Sequence, residues 1–375
     1  VRVLFTGSPA VGHLFPMVPL AWALRAAGHD VVFASLKGSE AVARAGMPLV
    51  NFLPEVDPSV NWLNEAGAKK PDLLQRVAMS RAFDRDAFIR LYAQFTDTVV
   101  DGLIEFAREW NPDLVVYEHI WSAGPVAAAA LGIPAVQHDL GFTRSPALQA
   151  AMLEEMAPAF ARHSVTAPSE VVTIDIAPPS MTSGPAYGWS MRPISFNGGG
   201  VLPEWLRAPA SRDRVAVTLG TVYPVLTGID SLATLIAAAA DVDAEFVLAL
   251  GDVSIDSLGP LPDNVWTTSW VPWNELVHTC TAVIHHGGAG TAMSSLEAAV
   301  PQLIIPGMSD NDVNARAVAD RGAGLACTAE QVDTELLRTL IGDGKLKLAA
   351  AEVSAEIATM PDPVSVVSQL VDLTC

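Results

Sequence analysis

The sequence predicts an α/β protein made of two halves, each carrying a parallel sheet. Three observations lead there. Short β-like runs alternate with helix-length amphipathic stretches, the pattern of strand–helix–strand units. One segment, residues 177–212, interrupts the alternation with six of the 27 prolines and the run Asn197-Gly198-Gly199-Gly200. The alternation then restarts, and 375 residues suffice for two cores of ordinary size.

The first strand is Val1–Thr6. A Gly/Ser/Pro loop over residues 7–13 leads to a helix from about Pro16 to Ala27, with Met17, Leu20, Ala21 and Leu24 on one face. Pro16 suits a first turn and Gly28 a C-terminal stop. Val31–Ala34, Leu114–Tyr117 and Ala135–Gln137 are the next strands. Residues 177–212 read as a connection without an element of its own. Beyond it come strand Val215–Leu219, a helix near Ile229–Ala240, and strands Glu245–Ala249 and Val265–Ser269. A short helix Asn274–Thr279, strand Ala282–His285, helix Thr291–Ala299, strand Gln302–Ile305 and helix Asp312–Arg321 follow.

Composition narrows the function. Half of the residues are hydrophobic, only 17% are charged, and mean hydropathy is +0.33, which excludes a disordered chain. A net charge of −19 repels nucleic acid and anionic membranes, so neither is expected as a partner. Cys280, Cys327 and Cys375 are too scattered for a disulfide framework or a CxxC metal site, which suits a reducing compartment. No leader is visible ahead of the opening strand, and the most apolar run, Leu235–Ala240, is too short to span a bilayer. A cytoplasmic protein is expected.

In open α/β sheets, ligands sit beyond the carboxyl ends of the strands. The strongest candidate there is His285-His286-Gly287-Gly288-Ala289-Gly290-Thr291, entered by a strand and left by a helix. Free amides and the positive end of a helix suit a phosphate, and His286 and Thr291 can add side-chain donors. A tight turn that needs glycine only for packing is the competing reading. Thr218-Leu219-Gly220-Thr221 could bring a hydroxyl to the same phosphate, or be a turn alone. In Pro306-Gly307-Met308-Ser309-Asp310-Asn311-Asp312, Asp310 and Asn311 could meet hydroxyl groups or cap a helix. A metal pair of Asp310 with Asp312 is disfavoured, because a helix-start Asp312 turns toward backbone amides. Trp270 could stack on a nucleobase or belong to the core.

In the first half, His13 stands between a strand and a helix; it could serve as a general base, for which its pKa range is suited, or be a loop histidine that caps a turn. Glu118 follows a buried run and could hold an imidazole in one tautomer; His119 is a rival for either role. His29, His138, His163 and His278 lack a supporting motif. Phe52, Trp62, Phe83, Phe88, Tyr92, Phe95, Trp121 and Phe142 could line an apolar pocket or be core.

Together these motifs resemble the nucleotide-sugar-dependent glycosyltransferases of the GT-B kind, two Rossmann-like domains facing a cleft. The likeness is strongest to the bacterial enzymes that glycosylate macrolide, enediyne, aromatic polyketide and glycopeptide antibiotics. It rests on Gly12-His13-Leu14-Phe15-Pro16, Asn197–Gly200 with Leu202–Leu206, Val217–Thr221, Trp270-Val271-Pro272, His285–Thr291, Pro301–Asn314 and Met360–Pro363, in that order.

The resemblance implies an acceptor-binding domain over residues 1–196, a linker over 197–212 and a nucleotide-sugar domain over 213–360. Residues 361–375 would form a helix crossing back to the first domain. His13 would deprotonate the acceptor and Glu118 would orient it. Thr221, His286, Gly288, Gly290 and Thr291 would bind the diphosphate. Trp270 and the backbone of Val271 would hold the base, and Asp310 and Asn311 would face the sugar. The implied reaction is inverting and needs no metal or cofactor. It would move a deoxysugar from TDP, or UDP, to a hydrophobic aglycone, with room for a homodimer. A nucleotide-sugar epimerase and a non-catalytic nucleotide-sugar-binding helper are the alternatives. Glu118 stands where the family usually has aspartate, Asn311 where it usually has glutamine, and the chain is short for the family.

Overall fold

The strand segments 3–5, 31–34, 215–217 and 246–248 are runs of Val, Leu, Phe and Ala without a polar residue, and such runs form parallel sheets covered on both sides. The computed structural model describes residues 1–56, 85–143, 146–182, 187–221, 229, 232–251, 253–307 and 311–375. Two units result. Unit 1 comprises Val1–Ala177, Gly184–Phe196 and Met360–Cys375; unit 2 comprises Pro178–Ser183 and Asn197–Thr359.

The first elements are β1 (Arg2–Thr6), α1 (Val11–Leu14), α2 (Val18–Ala26), β2 (Asp30–Ser35), α3 (Ala41–Arg44) and β3 (Leu49–Asn51). Then come α4 (Arg85–Trp110), β4 (Leu114–Glu118), α5 (Ala123–Leu131), β5 (Ala135–His138), α6 (Pro146–Glu155), α7 (Ala157–Arg162), β6 (Val172–Asp175) and β7 (Trp189–Ser190). The chain continues with β8 (Arg214–Thr218), α8 (Leu232–Ala239), β9 (Glu245–Ala249), β10 (Val265–Thr268), α9 (Trp273–Val277), β11 (Ala282–His285) and α10 (Ala289–Glu297). It closes with β12 (Gln302–Ile304), α11 (Asn311–Arg321), β13 (Gly324–Ala326), α12 (Thr334–Gly342), α13 (Gly344–Thr359) and α14 (Pro363–Asp372).

Unit 1 holds a seven-stranded parallel sheet in the order β3-β2-β1-β4-β5-β6-β7. Alternation along β1 sends Leu4 into one core layer and Val3 and Phe5 into the other. Strand order reverses between β1 and β4, so the loops leaving these two strands part and open a crevice. Unit 2 repeats the plan with six parallel strands, β10-β9-β8-β11-β12-β13, and its reversal lies between β8 and β11. Each unit is therefore Rossmann-like.

Three sequence expectations change. The first helix does not begin near Pro16: helical turns start at Val11, and Phe15–Met17 forms a 3₁₀ turn between α1 and α2. Pro16 lacks an N–H and crowds the preceding turn, so the α ladder breaks there and resumes at Val18. His13 consequently lies inside α1 rather than in a loop. Residues 177–212 are not featureless, since they contain β7 and 3₁₀ turns at Pro179–Met181 and Glu204–Leu206. The helix expected from Thr291 starts at Ala289.

Helix α14 packs on α2 inside unit 1. Pro363 occupies its first turn, Asp362 caps it by accepting from the Ser365 amide at 2.9 Å, and Val366, Val367 and Leu370 join the core. Among the described residues no helix is long and apolar enough to cross a membrane.

Candidate functional site

The reversal in unit 1 places two sequence-distant groups together. Glu118 ends β4 and is fully buried; His13 Nδ1 stands 3.2 Å from its Oε1, with the imidazole about one-third exposed. The longer carboxylate thus reaches the imidazole. The Ser8 amide donates to Oε1 at 3.4 Å and the Ile120 amide to Oε2 at 3.0 Å. A Cβ on Gly7 would lie 2.9 Å from Glu118 Cγ, so only glycine lets the chain pass there. Burial pushes the Glu118 carboxyl up, but His13, His119 and the Ile120 amide outweigh it and hold the group below its ordinary value. An ionised Glu118 favours the tautomer with the proton on His13 Nδ1, leaving Nε2 as the basic atom. His119 Nδ1 lies 3.6 Å from Oε2, so the rival imidazole shares this carboxylate.

The remaining histidines sort by environment. His138 is fully buried, and burial lowers it to about 4 while Nδ1 meets the Asp139 carbonyl at 2.7 Å. His163 pairs with Asp101 at 2.8 Å, His29 lies 3.3 Å from the N-terminal amine, and His278 is exposed. Of the aromatic candidates, Tyr92, Trp121 and Phe142 are buried, and Phe52, Phe88 and Phe95 are partly buried against the same core as Tyr92 and Trp121. The indole of Trp121 donates to Thr6 Oγ1 at 2.8 Å. Trp62 and Phe83 lie outside the described residues.

In unit 2, the turn from β11 into α10 is held open from beneath. His285 Nδ1 accepts from the Gly287 amide at 3.1 Å, and its Nε2 faces Gln302 Oε1 at 2.8 Å. Asn314 Nδ2 donates to the Gly287 carbonyl at 2.8 Å. Gly287 sits at φ +97°, a left-handed conformation, and Asn311 packs against it, 8% exposed. Asn311 is the first helical residue of α11, one position earlier than expected; Asp310 lies outside the described residues.

Gly288 is the N-cap of α10, and Gly290 and Thr291 fall in its first turn. No side chain caps this helix and its first turn holds no acid. By contrast, Asp333 and Asp362 cap α12 and α14. The first-turn amides of α10 carry no side-chain cap, as in several other described helices, and such a helix start can hold an anion.

The imidazole of His286 lies against Gly220, where a Cβ would approach Cε1 to 2.5 Å, and so joins the β8 and β11 loops. The Gly220 amide donates to Thr218 Oγ1 at 3.1 Å, and Thr221 beside it is exposed. Burial lowers His286 to about 4 and His285 to about 3. Near neutral pH His286 is therefore uncharged and offers a hydrogen bond rather than a positive charge. Trp270 is 54% exposed while the Val271 side chain next to it is buried, so the indole is open to a ligand and Val271 could contribute only its backbone.

These histidines carry a stability prediction. Their folded values lie below the unfolded one, so the unfolded chain binds more protons on the acid side. Stability should be complete above about pH 6.5 and fall as pH drops toward 4. The slope should reach about 1.4 kcal/mol per pH unit for each fully linked histidine. Thermal melts between pH 8 and 5 check this; a melting temperature flat over that range would contradict the buried neutral state.

Two Rossmann-like units are the plan of the GT-B fold, and likeness to known glycosyltransferases gives the class. Comparison with known proteins gives the particular family. Residues 22–220 and 233–373 match the N-terminal and C-terminal domains of the family described as erythromycin biosynthesis protein CIII-like, and the chain belongs to it. Elloramycin glycosyltransferase ElmGT of Streptomyces olivaceus is 38% identical over 99% of this chain and 97% of its own. The crystal structure of the glycosyltransferase SnogD from Streptomyces nogalater is 39% identical, with a TM-score of 0.86 over 100% of this chain and 99% of that one. Spinosyn rhamnosyltransferase SpnG, 29% identical, matches with a TM-score of 0.83 over 99% of this chain and 100% of that one. SpnG structures include complexes with thymidine diphosphate and with spinosyn aglycone. The protein is an antibiotic-type glycosyltransferase, and the epimerase and helper readings find no support among these relatives.

Gln302, Asn314, Ser8 and Asn197 fall within segments singled out in the sequence, but sequence reasoning assigned none of them a role. Asn314 is three residues after Asn311 and so on the same helix face, a signal that could have found it.

Proposed function

We propose that the protein transfers a deoxysugar from thymidine diphosphate to a hydroxyl of a hydrophobic polyketide aglycone, with inversion and without a metal. Unit 1 supplies the base and takes the acceptor; unit 2 holds the donor. The observation that carries this reading is His13, partly exposed, against fully buried Glu118. The acceptor oxygen attacks the anomeric carbon from the face opposite the diphosphate. The new C–O bond forms as the bond to the diphosphate oxygen breaks, and His13 Nε2 takes the hydroxyl proton. Glu118 steadies the imidazolium that results.

Charge grows on the departing diphosphate. The amides of Gly288, Ala289, Gly290 and Thr291 are fixed before reaction, so they stabilise that charge without reorganising. They supply the positive potential that a metal would otherwise give. His286 and Thr221 complete the diphosphate contacts, Trp270 and the Val271 backbone take the thymine, and Asp310 and Asn311 face the sugar. The complexes of SpnG with thymidine diphosphate and an aglycone support the two substrate classes.

Thr291→Ala tests the donor assignment. Loss of a hydroxyl bonded to a charged phosphate should weaken thymidine diphosphate binding about tenfold or more by calorimetry. Unchanged affinity would remove Thr291 from the donor site.

A further inference from the structure

Segment 197–200 touches both ends of the candidate donor site. Asn197 Nδ2 donates to Asn274 Oδ1 at 2.6 Å and to Ser294 Oγ at 2.9 Å. Ser294 in turn donates to the Gly290 carbonyl at 2.7 Å, so Asn197 is tied to the first turn of α10. One residue on, Gly198 holds φ +85°, and a Cβ there would lie 2.7 Å from Trp270 Cζ2. Gly200 closes on the other side, where a Cβ would meet Pro272 Cγ at 3.3 Å and Trp270 Cδ1 at 3.9 Å. Gly198 and Gly200 thus flank the indole, and Asn197 anchors them, as a brace, to the helix that begins at the candidate diphosphate cradle.

We infer that Asn197 and Gly198 are positioning residues that fix the Trp270 ring relative to the start of α10. They thereby set the span between the base platform and the diphosphate cradle. A ligand that fills both gains from the second contact as an intramolecular event, and the gain vanishes when the span is wrong. The brace therefore selects nucleoside diphosphates over pyrophosphate, which uses the cradle alone. Small size at 198 is a requirement of this arrangement: any side chain would displace the indole and strain the backbone.

The inference rests on the reading of Trp270 as the base platform, and calorimetry separates the two. The probes are thymidine 5′-diphosphate and inorganic pyrophosphate, with far-ultraviolet circular dichroism melts to show folding. Gly198→Ala is expected to weaken thymidine diphosphate about tenfold and leave pyrophosphate unchanged. Asn197→Ala should act in the same direction, and it carries the test if Gly198→Ala does not fold. Adding Trp270→Phe to Gly198→Ala should recover part of the loss, since the smaller ring leaves room for the new methyl group. A merely structural role would weaken both probes alike and show no recovery, and that result overturns the inference. If Trp270→Ala leaves thymidine diphosphate binding intact, the base-platform reading fails. If Trp270→Ala weakens it while Gly198→Ala and Asn197→Ala match the unmodified protein, only the positioning role fails.

Discussion

Replacement of His13 by alanine is expected to leave thymidine diphosphate affinity within about twofold and to lower sugar transfer by at least about 10²-fold. The asymmetry follows from where His13 sits. It belongs to α1 in unit 1, whereas the uncapped amides of α10 belong to unit 2. On the proposed mechanism, losing the imidazole removes the proton acceptor for the incoming hydroxyl and touches nothing assigned to the nucleotide. Glu118→Gln should act through the same atom: without an ionised partner the imidazole loses its preferred tautomer and the stabilisation of its cation. Rates measured at saturating donor and acceptor, beside calorimetric donor affinity, separate the steps. Transfer by His13→Ala at the original rate would show that another group takes the proton. His119, 3.6 Å from the same carboxylate, is the group to examine then.

The second large effect is expected from Thr291→Glu. A carboxylate in the first turn of a helix favours the dipole and normally stabilises by about 0.3–1 kcal/mol. At this helix it would also face the bound diphosphate. Two charges about 4 Å apart near a protein surface interact by roughly 4 kcal/mol. Thymidine diphosphate affinity should therefore fall by about 10²-fold or more while the melting temperature holds or rises. The opposite directions of the two readouts make the test demanding. If affinity survives, the amides of α10 do not bind the diphosphate.

Much of the fold was legible because buried parallel strands are nearly pure apolar runs. Glu245–Ala249 and Ala282–His285 match the expected strands to the residue. Helix starts were harder to read. Gly288 and Gly290 lower helix propensity at the start of α10, so the local signal points two residues too late. Pro16 misled in the other direction, marking an interruption and not a beginning.

The candidate site divides along the same line. The glycine-rich turn is one contiguous stretch and could be read directly. The pairing of His13 with Glu118 depends on β1 lying beside β4, a neighbour relation set by topology across 105 residues. Local pattern could nominate each residue but not measure their separation. Asn197 could be read only as the head of a glycine-rich run, because the partners that give it a role lie 77 and 97 residues away. Burial likewise decides that His286 is neutral, and no spacing rule reports burial of a polar ring.

Helix α14 bears on how the polypeptide reaches this state. Its Val366, Val367 and Leu370 cover a core whose other members run from Val3 in β1 through α2, β4, β5 and β6 to Met191, with nearly all of unit 2 synthesised in between. Until those residues emerge, the nascent first unit exposes a greasy stripe to the cell, a hazard for self-association during translation. A chain shortened before Pro363 should hence lose solubility through its beginning, although the deletion is made near the opposite extremity.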